Sequence, residues 1–332
     1  MHSSTKYPTR RHITTVIAIS ATALLASWGA QAQEGFPRKP IKVVVGYAAG
    51  GGVDVIARTV GQSMSASLGQ PFIVENKPGA GTNIAVKHVI DAAPDGYTVM
   101  LAANALAANM TLYKPAPFDV ERDLMPIAQV GRVPVVIAAN TSVPYNNIQE
   151  LIAAAQKQPK MIAFASPGNG ATPHMAVELF AKAAGIELQH IPYRGGAPAI
   201  TDAIGGQVPL VAVNALEALP HVKSGKLKVL AALSAERTSI FPDAPTIAES
   251  GYPGFEASVW YGFVAPKNTP TAVIDKLHTE VQKALATPEV RQRMNAVGGE
   301  VTPGSQAQFA QLIQDERLRY QKLVEETGIK PD

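Results

Sequence analysis

The chain contains no cysteine in 332 residues. That excludes disulfides, thiolate catalysis, Cys-type zinc sites and a lipid-modified cysteine at a mature N-terminus. Aromatic residues are scarce at 6% and charged residues make up 17%, against an apolar fraction of 46%. This is the composition of an ordinary globular protein rather than a disordered one. An excess of charge is also missing once the first 32 residues are set aside. That segment holds Lys6, Arg10 and Arg11 and no acid, so three of the 29 basic residues lie in it and the remainder balances its 26 acids. A formally neutral body gives nucleic acid and anionic membranes no bulk attraction, and neither is an expected partner. The histidines at 88, 174, 190, 221 and 278 form no H-x-x-x-H or similar pair, so no metal site is expected, and no cofactor.

The long apolar run at the start, Ile13 to Leu25, is shorter than the ~20 residues that a membrane span needs. Arg10 and Arg11 precede it and Ala30-Gln31-Ala32 follows it. A positive start, an apolar stretch and a small-x-small site make a secretory signal, with cleavage expected after Ala32. Thr9-Arg10-Arg11 invites a twin-arginine reading, but the rest of that pattern is poor and the general secretory route is the expectation. The product is expected in a bacterial periplasm.

What the chain does have is a strand–glycine–helix unit at Ile41 to Arg58, IKVVVGYAAGGGVDVIAR. The β-branched run Val43–Val45 meets a turn at Gly50, Gly51 and Gly52, and Val53, Ile56, Ala57, Val60 and Met64 then follow helical spacing. A helix start offers unpaired N–H groups and partial positive charge, and glycines let a ligand approach the backbone. The same architecture returns at Met161 to His174, MIAFASPGNGATPH, where Thr172 suits the N-cap and Pro173 the first helical position. Two such loops could close on one small anion from both sides.

Between these loops and beyond them, short strands alternate with amphipathic helices. Strands are expected at 41–46, 72–75, 98–102, 135–139, 161–165, 208–213, 228–233 and 259–265. Helices are expected near 53–68, 82–92, 147–157, 173–184, 196–204, 271–286 and 305–326. Gly69 and Gly185 are placed to stop helices, and Ser305 with Gln308 to cap one. The alternation implies parallel, doubly wound sheets with ligand beyond the carboxyl ends of the strands. Chain crossings near 138–144 and 253–258 would divide the chain into a signal peptide (1–32), a first lobe begun by 33–138 and completed by 256–332, and a second lobe of 139–255.

Other chemistries fit less well. The first loop lacks G-x-G-x-x-G spacing and a following Walker lysine. Ser166 and His174 have no G-x-S-x-G elbow and no evident acid to orient the histidine, which argues against a secreted hydrolase. A Ser166 hydroxyl at a strand end suits hydrogen bonding to a ligand carboxylate. Asp54 is placed to cap the loop amides, with Arg58 as its i,i+4 partner. His174 has two open readings, pocket edge or buried packing.

Several segments together carry a family resemblance: Phe36-Pro37-Arg38-Lys39-Pro40-Ile41, Gly50-Gly51 with Asp54 and Arg58, Gly69-Gln70-Pro71, VENKPGAGTN (Val74–Asn83) and PDGYT (Pro94–Thr98). Ala165-Ser166, His174, PYRGGAPA (Pro192–Ala199), PHVKSGKLKVLA (Pro220–Ala231), FPDAPT (Phe241–Thr246) and Trp260-Tyr261-Gly262 continue it in the same order. The chain resembles the periplasmic solute-binding proteins of tripartite tricarboxylate transporters, the Bordetella uptake gene family, over roughly Phe36 to Pro331. The resemblance implies an α/β, two-lobed periplasmic binding protein of type II-like form, with a doubly wound sheet in each lobe and the ligand cleft between them. It implies a non-enzymatic receptor, a monomer, that delivers a small carboxylate to membrane subunits of such a transporter. A periplasmic sensing component with the same fold is the other open role.

By the same resemblance, Tyr47, Ala48, Gly50 and Gly51 are expected on one side of the ligand. Ser166, Gly168, Gly170 and Thr172 are expected on the other, with Asn104 and Asn214 at the rim and Asp54 and His174 beside the loops. The chain departs from the family at Ala48 and Ala49, where prolines are common, and at Gly52, which is extra. It departs again at Ala212 and Val213, where an aromatic and an Asp are frequent.

Overall fold

The computed structural model describes residue 2, residues 35–296 and residues 298–331. The expected leader and its cleavage site after Ala32 lie outside the described residues. Met1–Arg38 and Lys39–Asp332 separate as two units, and among the described residues the second carries the helices and strands.

In chain order, β1 (Ile41–Val45) leads to α1 (Gly52–Leu68), β2 (Phe72–Asn76), α2 (Asn83–Ile90), β3 (Thr98–Ala103), α3 (Ala105–Leu112) and the single turn α4 (Val120–Asp123). The 17-residue β4 (Leu124–Asn140) follows. After it come α5 (Ile148–Lys157), β5 (Ala163–Ser166), α6 (Thr172–Ala184), β6 (Gln189–Pro192), α7 (Gly196–Ile204), β7 (Leu210–Asn214), α8 (Ala215–Lys223) and β8 (Leu227–Ala232). The chain closes with β9 (Ser258–Pro266), α9 (Thr271–Ala286), α10 (Pro288–Asn295), β10 (Glu300–Val301) and α11 (Gln306–Thr327).

The strands form one curled sheet in the order β2-β1-β3-β9-β4-β7-β5-β6, with β8 and β10 also pairing β4. Its two ends are parallel, as strand–helix alternation implies: β1 pairs β2 and β3, and β5 pairs β6 and β7. The middle is antiparallel, which the alternation did not reveal. β4 pairs β9 through Pro134 and then pairs β7 and β8 from Val135 onward, all antiparallel. The chain leaves one half of the fold along β4 and returns along β9, so the two strands must run in opposite directions.

Each half has its own apolar core. One gathers Val44, Met100, Leu106, Leu124, Trp260, Phe309 and Tyr320 beneath α3 and α11. The other gathers Val136, Ala165, Ile200, Val211, Val213 and Phe241. This is the two-lobed binding-protein fold. In the first core Trp260 and Phe309 meet edge-to-face, with centroids 5.4 Å apart at 80°, a contact worth about 0.5–1.5 kcal/mol beyond burial. Gly262 makes it possible, because a Cβ there would overlap the Phe309 ring. A glycine inside a strand commonly marks such a close approach.

Candidate functional site

β1 delivers the chain into a turn in which Gly50 takes a φ of 81°. Asp54, in the first turn of α1, fixes that turn. Its Oδ2 accepts from the Gly50 N–H and from Arg58 Nε, each at 3.0 Å. Its Oδ1 accepts from Arg58 Nη2 at 2.9 Å and Asn76 Nδ2 at 3.0 Å, and Asn76 Nδ2 also donates to the Tyr47 carbonyl. Burial pushes this carboxyl's pKa up, but the bonds from Arg58, Gly50 and Asn76 outweigh it and hold it below the ordinary value. Both oxygens are thus engaged in shaping the loop.

The N-terminus of α1 already holds a carboxyl group. Glu217, in the first turn of α8, accepts from the Gly52 N–H through Oε1, which Asn214 Nδ2 also approaches at 3.4 Å. Burial drives the Glu217 carboxyl up to about 7, with the Gly52 and Asn214 bonds only partly opposing it. Tyr47 and Tyr261 are pushed well above the usual tyrosine range by burial first and then by Glu217. Glu217 Oε2, Asn214 Oδ1, Tyr261 OH and Thr172 Oγ1 are buried with no hydrogen-bond partner. Buried polar atoms in native proteins are nearly always paired, so four such atoms on neighbouring elements point to a group still to arrive.

The second loop is held by histidines. Ser166 Oγ lies 2.6 Å from His190 Nε2 and accepts from the Gly168 N–H at 3.1 Å. His174 Nδ1 accepts from the Gly170 N–H at 3.2 Å, and its ring stacks on His190 at 3.8 Å and 7°. Burial, helped by His190, keeps His174 well below the usual histidine range, hence neutral. The Ser166–His190 distance would suit a nucleophile and its base, but Ser166 is fully buried and its hydroxyl is tied into its own loop. His174 is buried packing. Thr172 is not the cap: Ala171 takes the extended cap conformation, so α6 starts one residue early and leaves the Thr172 hydroxyl unpartnered.

Both loops line one narrow inner cleft, a cavity of about 20 Å³, which brings together Tyr47, Gly51, Thr172 and Asn214 with Pro167 and Glu217. A wider opening of about 420 Å³ shares Tyr47 and Pro167 and runs past Gly81, Gly168 and Arg194. Between the loops the Ala48 N–H donates to the Arg194 carbonyl at 2.9 Å. Gly50 is exposed in the first loop, while Asp54, Ser166, Gly170 and His174 are buried and line neither opening. Asn104 is engaged elsewhere. Its Nδ2 donates to Glu316, to Tyr320 OH and to the Ser258 carbonyl, and its Oδ1 accepts from the Trp260 N–H. It fastens β9 to α11.

A family model described as "Tripartite tricarboxylate transporter family receptor" matches residues 56–329. The chain belongs to this family. Protein BugT of Bordetella pertussis is 37% identical over 297 residues, covering 89% of this chain and 91% of BugT. Rpa4515 of R. palustris, solved with adipate, superposes with a TM-score of 0.86 at 30% identity, covering 90% of this chain and all of Rpa4515. MatC of Rhodopseudomonas palustris, solved with malate, gives a TM-score of 0.83 at 30% identity over 87% of this chain and all of MatC.

Within this receptor family frame, sequence reasoning missed Glu217 and Gly196 as cleft residues, and Tyr261, whose hydroxyl stands close to Gly52 beside Glu217. The available signal for Glu217 was a lone acid among small and apolar neighbours, Asn214-Ala215-Leu216-Glu217-Ala218-Leu219. Nothing local announces that Gly52 and Gly196 face it.

Proposed function

We propose that this chain is a periplasmic solute-binding protein that captures a small organic carboxylate, releases it unaltered, and delivers it to the membrane subunits of a tripartite tricarboxylate-type transporter. The observation that carries the reading is the Gly52 N–H at the start of α1, which already holds a carboxyl oxygen inside a cleft lined by both Gly-rich loops. An N–H at a helix N-terminus is where a carboxylate is favoured. Relatives solved with adipate and malate support the ligand class. The separate cores and the switch of β4 from β9 to β7 support lobes of 33–138 with 256–332 and of 139–255. Export with cleavage after Ala32 and a monomeric state complete the proposal. Among the described residues, no helix is long and apolar enough to cross a membrane.

The test is a thermal-shift screen of organic carboxylates on ligand-free protein. Ligand that binds the native state alone raises its melting temperature with concentration. At least one carboxylate should do so and be recovered chemically unchanged. A panel without any shift, or with turnover of the bound acid, would sink the reading.

A further inference from the structure

The geometry points to Glu217 as a specificity-determining residue that selects, among carboxylates, those carrying an ammonium group. This rests on the solute-binding reading above and narrows it from carboxylates to amino-acid-like ones.

Glu217 is 91% buried by its 9% exposure, and its Oε2 has no partner. Asn214 Oδ1, also an acceptor, is likewise unpartnered and buried. Among the described residues, no lysine, arginine or histidine lines the inner cleft. A buried carboxyl without a cation is costly when ionised, and the neutral hydroxyls of Tyr261 and Thr172 bring no compensating charge. A ligand ammonium supplies several N–H donors and the opposite charge, which gives the strong, charge-assisted kind of hydrogen bond.

The carboxyl is also fixed in place. Its Oε1 is held by Gly52, and α7 begins against it at Gly196, where a Cβ would overlap the carboxyl. Asn214 Nδ2, Glu217 Oε1 and Tyr261 OH converge within 2.5–3.0 Å of the point where a Gly52 Cβ would stand. Glycine at 52 and 196 therefore lets an acid fit where any other residue would exclude it. The ligand's own carboxylate is left to the wider opening, where Arg194 and the loop amides lie.

The titratable groups facing Glu217 are Tyr47 from the end of β1 and Tyr261 from β9, both held neutral by burial. Gly52 of α1, Gly196 of α7 and Asn214 before α8 bring no charge. With the carboxyl poised at about 7 in the ligand-free protein, the two ligand types have opposite pH dependence. An ammonium ligand needs Glu217 ionised, so its affinity falls as pH drops below 7. A second carboxylate needs Glu217 protonated, so its affinity rises instead.

The experiment is calorimetry on the mature, ligand-free protein with matched pairs: L-aspartate and succinate, L-glutamate and glutarate, 4-(aminomethyl)benzoate and 4-methylbenzoate. In at least one pair the amine-bearing member should bind about 10-fold tighter or more. Glu217→Gln, which keeps an oxygen for the Gly52 N–H, should remove that preference and flatten the pH profile between about pH 6 and 8. Thermal unfolding confirms that the variant is folded, and Glu217→Ala serves as a second variant if it is not. Equal or tighter binding of the amine-free members, or a preference that survives in both variants, would overturn the assignment and leave the carboxylate reading standing. Binding by no member of any pair would overturn the assignment, and the carboxylate reading would fall with it only if the thermal-shift panel were also without a shift.

Discussion

Gly196 and Glu217 are in direct register: a side chain on the first would occupy the space of the carboxyl of the second. The first turn of α7 therefore depends on a glycine for a reason that lies 21 residues away. Gly196→Ala should destabilise the protein by about 1–3 kcal/mol, the usual cost of overpacking. Combining it with Glu217→Ala should recover much of that loss, because the clash is gone. Urea unfolding of the four proteins in a double-mutant cycle measures the coupling, and strict additivity would refute the contact.

Glu217 also sets a pH dependence of stability in the ligand-free protein. Its folded pKa, about 7, lies above the ordinary 4.5. The folded state therefore binds a proton more tightly than the unfolded state, and stability falls as pH rises from 4.5 through 7. Over that window the loss amounts to about 3 kcal/mol. Glu217→Gln should be more stable than the parent at pH 8 and close to it at pH 4.5. Denaturant titrations at both values check this, with a parallel pH dependence in the two proteins as the contrary result.

Asp54 has the opposite sign. Its folded pKa is depressed below the ordinary 3.8, so it contributes stability above that value and loses it as pH falls through the folded pKa. Asp54→Asn should cost about 2 kcal/mol at pH 7, given charge-assisted bonds from Arg58 and the Gly50 N–H. The gap to the parent protein should narrow below pH 3.8. The same variant should weaken ligand binding, because the loop loses its brace. An unchanged ligand affinity would show that loop shape does not depend on this carboxylate.

Gly262 offers a control on the face of β9 opposite Tyr261, against Phe309. Gly262→Ala should drive Phe309 off the sheet and lower stability by about 1–3 kcal/mol, with ligand affinity retained wherever the variant is folded. Chemical unfolding together with calorimetry separates the two effects. A stability equal to the parent's would mean that β9 and α11 yield freely at this point.

Much of the fold was legible because its signals are local. α7 and α9 have the expected limits, Ser305 and Gln308 form the expected capping box, and Gly69 and Gly185 end their helices in the left-handed conformation. α3 escaped because all its residues except Thr111 are buried, so no polar face marks a helical period. α8 escaped because Pro220 lies inside it, and proline reads as a breaker. The part of β4 before Val135 carries Pro126, Gly131 and Pro134, residues that demote a strand pattern. In the site, the first loop was legible as a unit because Gly50 and Asp54 are four residues apart. Glu217 was not, since its meaning depends on Gly52 and Gly196, and distance in sequence hides both.

The order of strands has a consequence for how the protein is made. β3 finds its outer neighbour only when Tyr261–Val264 arrives, after β4 to β8 have all been synthesised. Until then Met100–Ala103 presents an open edge, the kind of surface that recruits stray strands. Assembly must therefore wait for a latecomer, and pairings this distant in sequence are slow to form. A nascent or truncated chain ending before Ser258 would have β1 to β3 and β4 but not the keystone that joins them, and would be the most aggregation-prone form of this molecule.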